Sequence, residues 1–365
     1  MTDPASPLCS SQTARHNHGF SNQVQTASKS LQDLPAQGPK PSIEPLRALV
    51  GSNMDAVNRE IVARMASDVS LIPELASHLI AAGGKRIRPL LTLGAANLCG
   101  YRGKYDVLLA TCVEFIHTAT LLHDDVVDES DRRRGNATAN VLWGNQPSVL
   151  VGDFLFTRAF QLMVETGSLE VLRILAGASS EIAEGEVLQL VIANDMNSLE
   201  SDYLKVIKAK TAALFAAACR VGAVIADRPM SDAQALDDYG HNLGIAFQLV
   251  DDALDYASDG ETLGKNTGDD FREGKITLPV LLAFSKGSDA EKAFWRRVIE
   301  RPEEQTAEDW SQALAYMDRH GAIQETMARA RLYGQKARQA LAPFTAGAMR
   351  DALAEAVDFA VERAR

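Results

Sequence analysis

Apolar residues recur at the spacing of α-helices from about residue 45 to the C-terminus, and this pattern limits the possible folds most strongly. Val57, Ile61 and Met65 show the spacing near its start. The pattern continues through residues 105–128, 147–166, 170–193, 202–226, 232–257, 277–286, 290–300, 309–318, 322–341 and 347–364. Convincing alternating patterns of β-strands are absent, so the sequence predicts an all-α fold.

Local signals predict the ends of some helices and of the domain. Ser201-Asp202 and Ser231-Asp232 are typical N-caps, and Gly100, Gly167 and Gly321 are typical of helix ends. Residues 1–42 are rich in Ser, Gln, Pro and Gly, which predicts a disordered N-terminal extension. Residues 43–365 are predicted to form one large domain, because a 365-residue chain that is 46% hydrophobic can bury a large core.

Charge and cysteine content exclude several classes of protein. The net charge of −11 argues against a sequence-independent nucleic-acid binder, which needs a basic face. Cys9, Cys99, Cys112 and Cys219 show no metal or redox spacing, which favours a reduced, intracellular protein. The longest apolar run, residues 212–226, is interrupted by Arg220, so no membrane span and no signal sequence are expected. We therefore expect a soluble, cytoplasmic protein.

Two aspartate clusters lie within apolar, helix-like stretches. The first is His123-Asp124-Asp125-Val126-Val127-Asp128, and the second is Gln248-Leu249-Val250-Asp251-Asp252-Ala253-Leu254-Asp255. An acidic run is usually a solvated helix face, but carboxylates among apolar neighbours require a cation. The first and last Asp of each cluster share one helix face, about 6 Å apart along the axis. Two such faces across a cavity would form an all-oxygen site suited to Mg²⁺ and a phosphorylated ligand.

Basic residues accompany both clusters. Arg133 and Arg134 follow the first one, and arginine matches phosphate oxygens with a fixed fork of donors. The segment Gly83-Gly84-Lys85-Arg86-Ile87-Arg88 could bind a second anion without metal, although alone it is also an ordinary basic turn. His117 lies two helical turns before Asp124 and could add a donor, unless it is a hydrogen-bonded core residue.

Two further basic segments are ambiguous by themselves. Lys210-Thr211 precedes an apolar segment that offers no acidic partner, so a buried Lys210 needs an anion, whereas a solvated one does not. A glycine-punctuated loop containing Lys265 and Lys275 follows the second cluster and reads as a lid that carries cations, or as a plain surface loop. No nucleophile arrangement or phosphate loop accompanies them. The pattern fits metal-assisted ionisation of an allylic diphosphate, which needs charge neutralisation and positioning.

From about residue 45 onward the chain strongly resembles the trans-polyprenyl diphosphate synthases, and is most similar to the octaprenyl-forming members. The motifs that carry the resemblance are GGKRIRP, HDDVVDESDRRRG, GEVLQL, KT, FQLVDDALDY and LGKNTGDDFREGKITLP. The resemblance implies a helical bundle of the isoprenoid synthase type around a central cavity. It also implies a homodimer that condenses isopentenyl diphosphate onto an allylic diphosphate, with a proton passing to the departing pyrophosphate.

The resemblance assigns roles position by position. Asp124, Asp128 and Asp251 would hold Mg²⁺ ions, three per site with substrate bound, supported by Asp125, Asp252 and Asp255. Arg133, Lys210 and Lys265 would bind the allylic diphosphate, and Lys85, Arg88, His117 and Arg134 would bind isopentenyl diphosphate. Thr211 and Gln248 would point oxygens toward the developing cation.

Product length depends, in this family, on residues just before the first cluster. Ala119 and Thr120 occupy those positions and are small, so the tunnel is expected to stay open, with a floor near Phe115, Leu162 or Met163. A long product, octaprenyl to decaprenyl diphosphate, is therefore expected. The resemblance implies farnesyl diphosphate as the primer and the ubiquinone side chain as the use of the product. Two alternatives remain open. One is a short-chain farnesyl or geranylgeranyl diphosphate synthase, and the other is a non-catalytic subunit of the same fold.

Overall fold

The computed structural model describes residues 40–81, 84–133, 135–257 and 268–363. The first half of this part contains α1 Glu44–Leu49, α2 Gly51–Arg64, α3 Leu71–Ala81, α4 Ile87–Leu98, α5 Tyr105–Val127, α6 Ala139–Trp143, α7 Asn145–Glu165 and α8 Leu169–Ile192. The second half contains α9 Glu200–Ile207, α10 Ala213–Ile225, α11 Met230–Ala257, α12 Asp269–Arg272, α13 Leu278–Lys286, α14 Asp289–Glu300, α15 Ala307–Arg319, α16 Ala322–Ala340 and α17 Ala348–Glu362. A two-residue antiparallel hairpin pairs β1 Arg132–Arg133 with β2 Asn136–Ala137. The all-α prediction is confirmed.

The helix ends that the sequence predicts at glycine residues are confirmed. Gly100, Gly167 and Gly321 follow the ends of α4, α7 and α15 with φ of 79°, 68° and 61°, a conformation that glycine adopts without strain. The predicted N-caps are wrong by one or two residues. α9 begins at Glu200, and the Asp202 side chain caps it from within the first turn by accepting the N–H of Leu199 at 3.3 Å. α11 begins at Met230, before Ser231.

The long helices α5, α7, α10, α11 and α16 form the centre of the bundle. α11 packs along α10 and α16, α5 packs along α7, and α10 packs against α4 and α8. The bulkiest fully buried side chains include Tyr239 of α11, Phe115 of α5 and Phe215 of α10. α10 and α11 approach closely at Gly240, where a Cβ atom would lie 2.3 Å from the carbonyl oxygen of Phe215. This close approach brings the second aspartate cluster, near the end of α11, beside the segment that precedes α10.

A single π-helical turn, Lys208–Ala212, joins α9 to α10. Two glycines from neighbouring helices make room for it. A Cβ atom on Gly185 of α8 would lie 2.7 Å from the Cβ of Ala209, and one on Gly244 of α11 would lie 2.6 Å from the Cα of Ala212. π-turns are rare inside helices and often occur at functional sites. This one contains Lys210 and Thr211, for which the sequence predicted active-site roles.

α5 is long and apolar enough to cross a membrane by length and composition, although 61% of its most apolar window is buried inside the protein. The apolar run at residues 212–226 belongs to a different helix, α10, and contains Arg220. α5 packs against α7 and α4 and carries the first aspartate cluster at its C-terminal end, so it is a core helix of the bundle.

Most of the predicted N-terminal extension, residues 1–39, lies outside the described residues, so its disorder remains a prediction. The described part begins at Lys40. The backbone N–H of Ser42 already donates to Glu355 of α17 at 3.1 Å, which fixes the start of the helical domain to its C-terminal helix.

Candidate active site

The first aspartate cluster lies at the C-terminal end of α5. Asp124 and Asp125 belong to its last turn, and Asp128 is the C-cap. A helix C-terminus carries partial negative charge, so three carboxylates at this place require cations. Each of them lies within 4 Å of a basic side chain.

Asp125 is buried and pairs with Arg133. The Nε of Arg133 donates to Asp125 Oδ1 at 2.8 Å, and its Nη2 lies 2.6 Å from the same oxygen. Arg133 stands on β1, so the short hairpin returns the chain toward α5. Asn140 of α6 donates to the backbone carbonyl of Asp125 at 3.1 Å and fixes the segment from the other side. One third of the Arg133 side chain is still exposed, so the pair with Asp125 does not bury it fully.

Lys210 finds its anion on another helix. Its Nζ lies 2.7 Å from Glu186 Oε2 and 3.9 Å from Asp124 Oδ2. Glu186 stands on α8 in the GEVLQL motif, to which sequence analysis gave no role, and the π-turn presents Lys210 to it. Burial raises the pKa of Asp124 to about 7, with Lys210 lowering it and Glu186 raising it. Asp124 therefore gains strongly from any additional cation nearby.

Lys275 links the first cluster to the segment that follows the second one. Its Nζ donates to Asp128 Oδ2 at 3.3 Å and lies 2.5 Å from Glu273 Oε2. Burial lowers the pKa of Lys275, but Asp128, Asp270 and Glu273 outweigh it, and the net pKa is raised. Sequence analysis recognised Lys275 only as part of a loop, yet the structure places its ammonium between acids from both halves of the site.

The second cluster lies near the C-terminal end of α11, and its first member is held by the C-terminus of the chain. Arg363 Nη2 lies 3.0 Å from Asp251 Oδ1 and donates to the carbonyl of Phe247 at 2.7 Å. Its guanidinium also stacks over the Phe247 ring at 3.7 Å. Burial lowers the pKa of Lys85, and Arg363 lowers it further while Asp251 raises it, which places these three charges close together.

Asp252 is buried and belongs to a hydrogen-bonded chain that ends at Thr211. Tyr203 Oη donates to Asp252 Oδ2 at 2.5 Å, and Gln248 Nε2 donates to Asp252 Oδ1 at 2.8 Å. Thr211 Oγ1 donates to Gln248 Oε1 at 2.9 Å. Burial raises the pKa of Asp252 to about 6, and the hydrogen bonds from Tyr203 and Gln248 oppose this rise. Thr211 and Gln248, predicted to act together, are in direct contact.

Asp255 completes the second cluster and faces α12. The N–H of Asp270 donates to Asp255 Oδ2 at 3.0 Å. Burial raises the pKa of Asp255 and of Asp270, and the pKa of Asp270 is raised further by Asp255 and Asp252. This part of the site therefore contains several buried carboxylates, and a bound cation would stabilise their charged forms.

Of the remaining residues predicted to bind anions, two lie over aromatic rings, one lies on α5, and two are outside the described residues. The Arg88 guanidinium lies over the ring of Phe215, 4.4 Å from its centroid, and Lys85 lies over the ring of Phe359 at 4.9 Å. His117 is half-buried on α5, and its carbonyl accepts the hydroxyl of Thr120 at 2.8 Å. Arg134 and Lys265, together with Gly83 and residues 258–267 of the predicted lid, lie outside the described residues, so their roles stay predictions.

The two positions predicted to control product length differ in their surroundings. Ala119 has no exposed surface, whereas Thr120 is half-buried. Thr120 is four residues before Asp124 and shares its helix face, whereas Ala119, five residues before Asp124, is turned away from it by about 140°. Phe115, Leu162 and Met163, named as possible floor residues, are all core residues with at most 2% exposure.

The acidic residues fit a cation whose coordination is completed by a bound ligand. Within residues 40–81, 84–133, 135–257 and 268–363, no three acidic, histidine or cysteine side chains converge closely enough to hold a metal ion by themselves. Mg²⁺ is commonly bound by one or two carboxylates together with substrate phosphates and water. Asp124, Asp128 and Asp251 meet that description, because each offers a carboxylate within 4 Å of a lysine or arginine side chain.

Comparison with known proteins gives concordant matches. The family described as Polyprenyl synthetase matches residues 69–317. The chain is 46% identical to the octaprenyl diphosphate synthase of Haemophilus influenzae over 322 residues, which cover 88% of this chain and 97% of that protein. A crystal structure of a polyprenyl synthase from Caulobacter crescentus, complexed with calcium and isoprenyl diphosphate, is 55% identical, with a TM-score of 0.87 over 90% of this chain and 100% of that one. A decaprenyl diphosphate synthase from Rhodobacter capsulatus is 53% identical, with a TM-score of 0.85 over 89% and 100% of the two chains.

Proposed function

This chain belongs to the polyprenyl synthetase family, and we infer from that membership that it is a long-chain all-trans polyprenyl diphosphate synthase. It condenses isopentenyl diphosphate units onto an allylic diphosphate. The observation that carries the inference is the π-turn Lys208–Ala212, where Lys210 lies 3.9 Å from Asp124 of the first cluster and Thr211 donates to Gln248, which in turn donates to Asp252 of the second. Such a site binds a metal and a diphosphate together.

We propose that the primer is farnesyl diphosphate and the product octaprenyl to decaprenyl diphosphate, a precursor of the ubiquinone side chain. The names of the relatives support this range, since they include an octaprenyl and a decaprenyl diphosphate synthase. Small side chains at Ala119 and Thr120 agree with a long product, because in this family bulky residues at these positions give short products. The match to a short-chain isoprenyl diphosphate synthase is weaker, at 35% identity, than that to the octaprenyl synthase, at 46%.

We propose Mg²⁺ as the metal, three ions per site with substrate bound, held by Asp124, Asp128 and Asp251. When bound, Mg²⁺ would neutralise the diphosphate and assist its departure. The raised pKa of Asp124 supports a cation at this place, since burial there disfavours an unpaired carboxylate. Asp125, Asp252 and Asp255 would hold the geometry, because each is already engaged by a donor from another segment.

The basic residues would divide between two diphosphates. Arg133, Lys210 and Lys265 would bind the allylic diphosphate, and we add Lys275, whose ammonium lies among the same acids. Lys85, Arg88, His117 and Arg134 would bind isopentenyl diphosphate. In the structure two of these cations, Lys210 and Lys275, pair with Asp124 and Asp128, which we assign to the metal. Metal binding would therefore release them toward the diphosphate oxygens.

The condensation itself needs no protein nucleophile. The C1–O bond of the allylic diphosphate breaks, and the double bond of isopentenyl diphosphate attacks C1. A proton then leaves C2 of the isopentenyl unit and passes to the released pyrophosphate. The chain contributes binding, orientation and charge, and the oxygens of Thr211 and Gln248 would face the cation that forms at C1.

We also propose a homodimer in the cytoplasm. Large apolar side chains are exposed along α7 and α8, and a face of this kind is typical of protein interfaces. They are Val149, Leu150, Phe160, Val164, Val187, Leu190 and Val191. Cys99, Cys112 and Cys219 are buried and unpaired, which agrees with a reducing compartment.

One assay tests the function. Purified protein is incubated with farnesyl diphosphate, labelled isopentenyl diphosphate and Mg²⁺, and products are separated by chain length. We expect products with eight to ten isoprene units and none after addition of a chelator. A C15 or C20 endpoint would establish the short-chain alternative, and no incorporation with active control synthase present would contradict the enzyme assignment. Light scattering measures the oligomeric state in the same preparation.

A further inference from the structure

Tyr203 is the residue of the site for which neither the sequence nor the proposed chemistry gives a reason. It stands on α9, is 3% exposed, and points its hydroxyl away from solvent at Asp252. Burial raises its pKa well above the ordinary value, so the phenol keeps its proton and must act as a donor. A fixed donor here determines which groups along the hydrogen-bonded series from Asp252 to Thr211 donate and which accept.

The proton positions along the chain follow from the chemistry of each group. Asp252 accepts from Tyr203 on one oxygen and from the Gln248 amide nitrogen on the other. The Gln248 amide must therefore turn its oxygen toward Thr211. Because an amide oxygen can only accept, the single hydroxyl proton of Thr211 is committed to Gln248 at 2.9 Å.

The consequence appears at the far end of the chain. With its proton committed, Thr211 can offer only lone pairs to anything else that approaches its oxygen. Thr211 lies in the π-turn next to Lys210, whose ammonium lies 3.9 Å from Asp124. An acceptor fixed in this orientation favours a neighbouring cation and needs no reorganisation when the cation forms.

We propose that Tyr203 is a positioning residue of the condensation, which fixes Asp252 and thereby orients Gln248 and Thr211 as acceptors for the allylic cation. The inference rests on the proposed function and adds a residue to it. Asp252 then serves as the anchor of an oriented hydrogen-bonded chain. Tyr203 touches no reacting atom, and its effect passes through two intervening side chains.

The test is Tyr203→Phe, which removes one hydroxyl and keeps the ring. The first condensation is measured in a single turnover, because release of a long product can hide the chemical step. We expect the rate to fall about tenfold, which corresponds to about 1.4 kcal/mol of activation free energy, because Asp252 and the amide it holds lose one of their two fixed partners. The KM values for both diphosphates should change less than about twofold, because the substrate-binding cations are untouched.

Tyr239→Phe is the matched control. Tyr239 is also fully buried in the bundle, and its hydroxyl donates to the carbonyl of Leu353 at 2.9 Å, away from the aspartates. This variant should lose a similar amount of thermal stability and keep the wild-type rate of condensation. Equal losses of rate in both variants would reduce Tyr203 to a structural residue and overturn the proposal.

A double variant separates positioning from general damage. Thr211→Val removes the acceptor at the end of the chain, so Tyr203→Phe should cost little more in that background. Multiplicative losses would mean that Tyr203 acts elsewhere, which also overturns the proposal. Wild-type protein in the same assay reports on the proposed function, so an inactive wild type and an unaffected Tyr203→Phe are distinct failures.

Discussion

The ammonium of Lys275 lies 3.3 Å from Asp128 Oδ2, although the two residues are 147 positions apart in the chain. Lys275 follows the second aspartate cluster, and Asp128 ends the first. Opposed carboxylates repel each other unless a cation lies between them. In the protein without metal, the ammonium of Lys275 provides part of the positive charge that these carboxylates need.

Lys275→Met should destabilise the metal-free protein. The substitution keeps most of the apolar stem and leaves Asp128 and Glu273 without the ammonium. We expect the free energy of unfolding to fall by about 1–2 kcal/mol, as for the loss of a hydrogen bond to a charged group. Denaturant unfolding in the presence of a chelator measures it.

Lys286→Met is the control for this substitution. Lys286 pairs with Glu325 and the carbonyl of His320, at a more exposed place far along the chain from the aspartates. Its replacement should change the free energy of unfolding by less than about 1 kcal/mol, as is usual for exposed ion pairs. Equal losses in both variants would show that Lys275 has no special electrostatic role.

The stability of the metal-free protein should fall as pH rises from about 4 to 8. Burial raises the pKa of Asp124 to about 7, whereas the unfolded chain releases this proton near pH 4. Between these values the folded state binds more protons than the unfolded state. The stabilisation is therefore complete below pH 4 and lost as pH rises through 7, by up to about 1.4 kcal/mol per pH unit for one proton.

Asp124→Asn identifies the responsible group. Other acids of the site, including Asp252, titrate in the same direction, so the variant should lose only part of the slope. The measurement is urea unfolding at a series of pH values with a chelator present. An unchanged slope in Asp124→Asn would show that Asp124 does not hold the additional proton.

Glu186→Gln should lower the pH at which this stabilisation is lost. The Glu186 carboxylate raises the pKa of Asp124, and it also holds Lys210 at 2.7 Å. Without it, Lys210 is free to turn fully toward Asp124, so both effects favour the charged carboxylate. The same unfolding series detects the shift, and a midpoint moved to higher pH would contradict the predicted pairing.

The helices and the acidic clusters can be predicted from the sequence, because both depend on the spacing of residues that are close together in the chain. The period of 3.6 locates α5, α7 and α11 to within a few residues, and glycines locate several helix ends. Lys210 could be singled out, but its partner Glu186 could not. That pairing depends on how α8 and the π-turn pack, and nothing within either segment specifies it.

Arg363 and Tyr203 also have partners that depend on helix packing and could not be predicted from the sequence. Arg363 lies almost at the end of the chain, 112 positions beyond Asp251, and reaches it only because α17 packs against α11. Tyr203 resembles any apolar position of a helix until its hydroxyl is found beside Asp252. The N-cap predictions failed for a local reason. Ser and Asp stabilise the first turn from several positions, so composition alone does not fix the first residue.

Ala119→Tyr should shorten the product. Ala119 lies five residues before Asp124, about 7.5 Å along the helix axis, which corresponds to one or two isoprene units below the aspartates. Because Ala119 has no exposed surface, the tyrosine must also displace neighbours, at a cost of about 1–3 kcal/mol. Chromatography of the products and thermal unfolding of the variant are therefore measured together.

Thr120→Phe tests the same tunnel from the neighbouring position, with Thr118→Phe as its matched control. Thr120 is half-buried and shares the helix face of Asp124, whereas Thr118 is also half-buried but lies about 160° around the helix from Thr120. A phenyl group at Thr120 should stop elongation early, because it projects along the face on which the chain would grow. The same group at Thr118 should leave the product length unchanged. If both variants make the wild-type product, the tunnel does not pass this face of α5, and the floor has to be sought beside other helices.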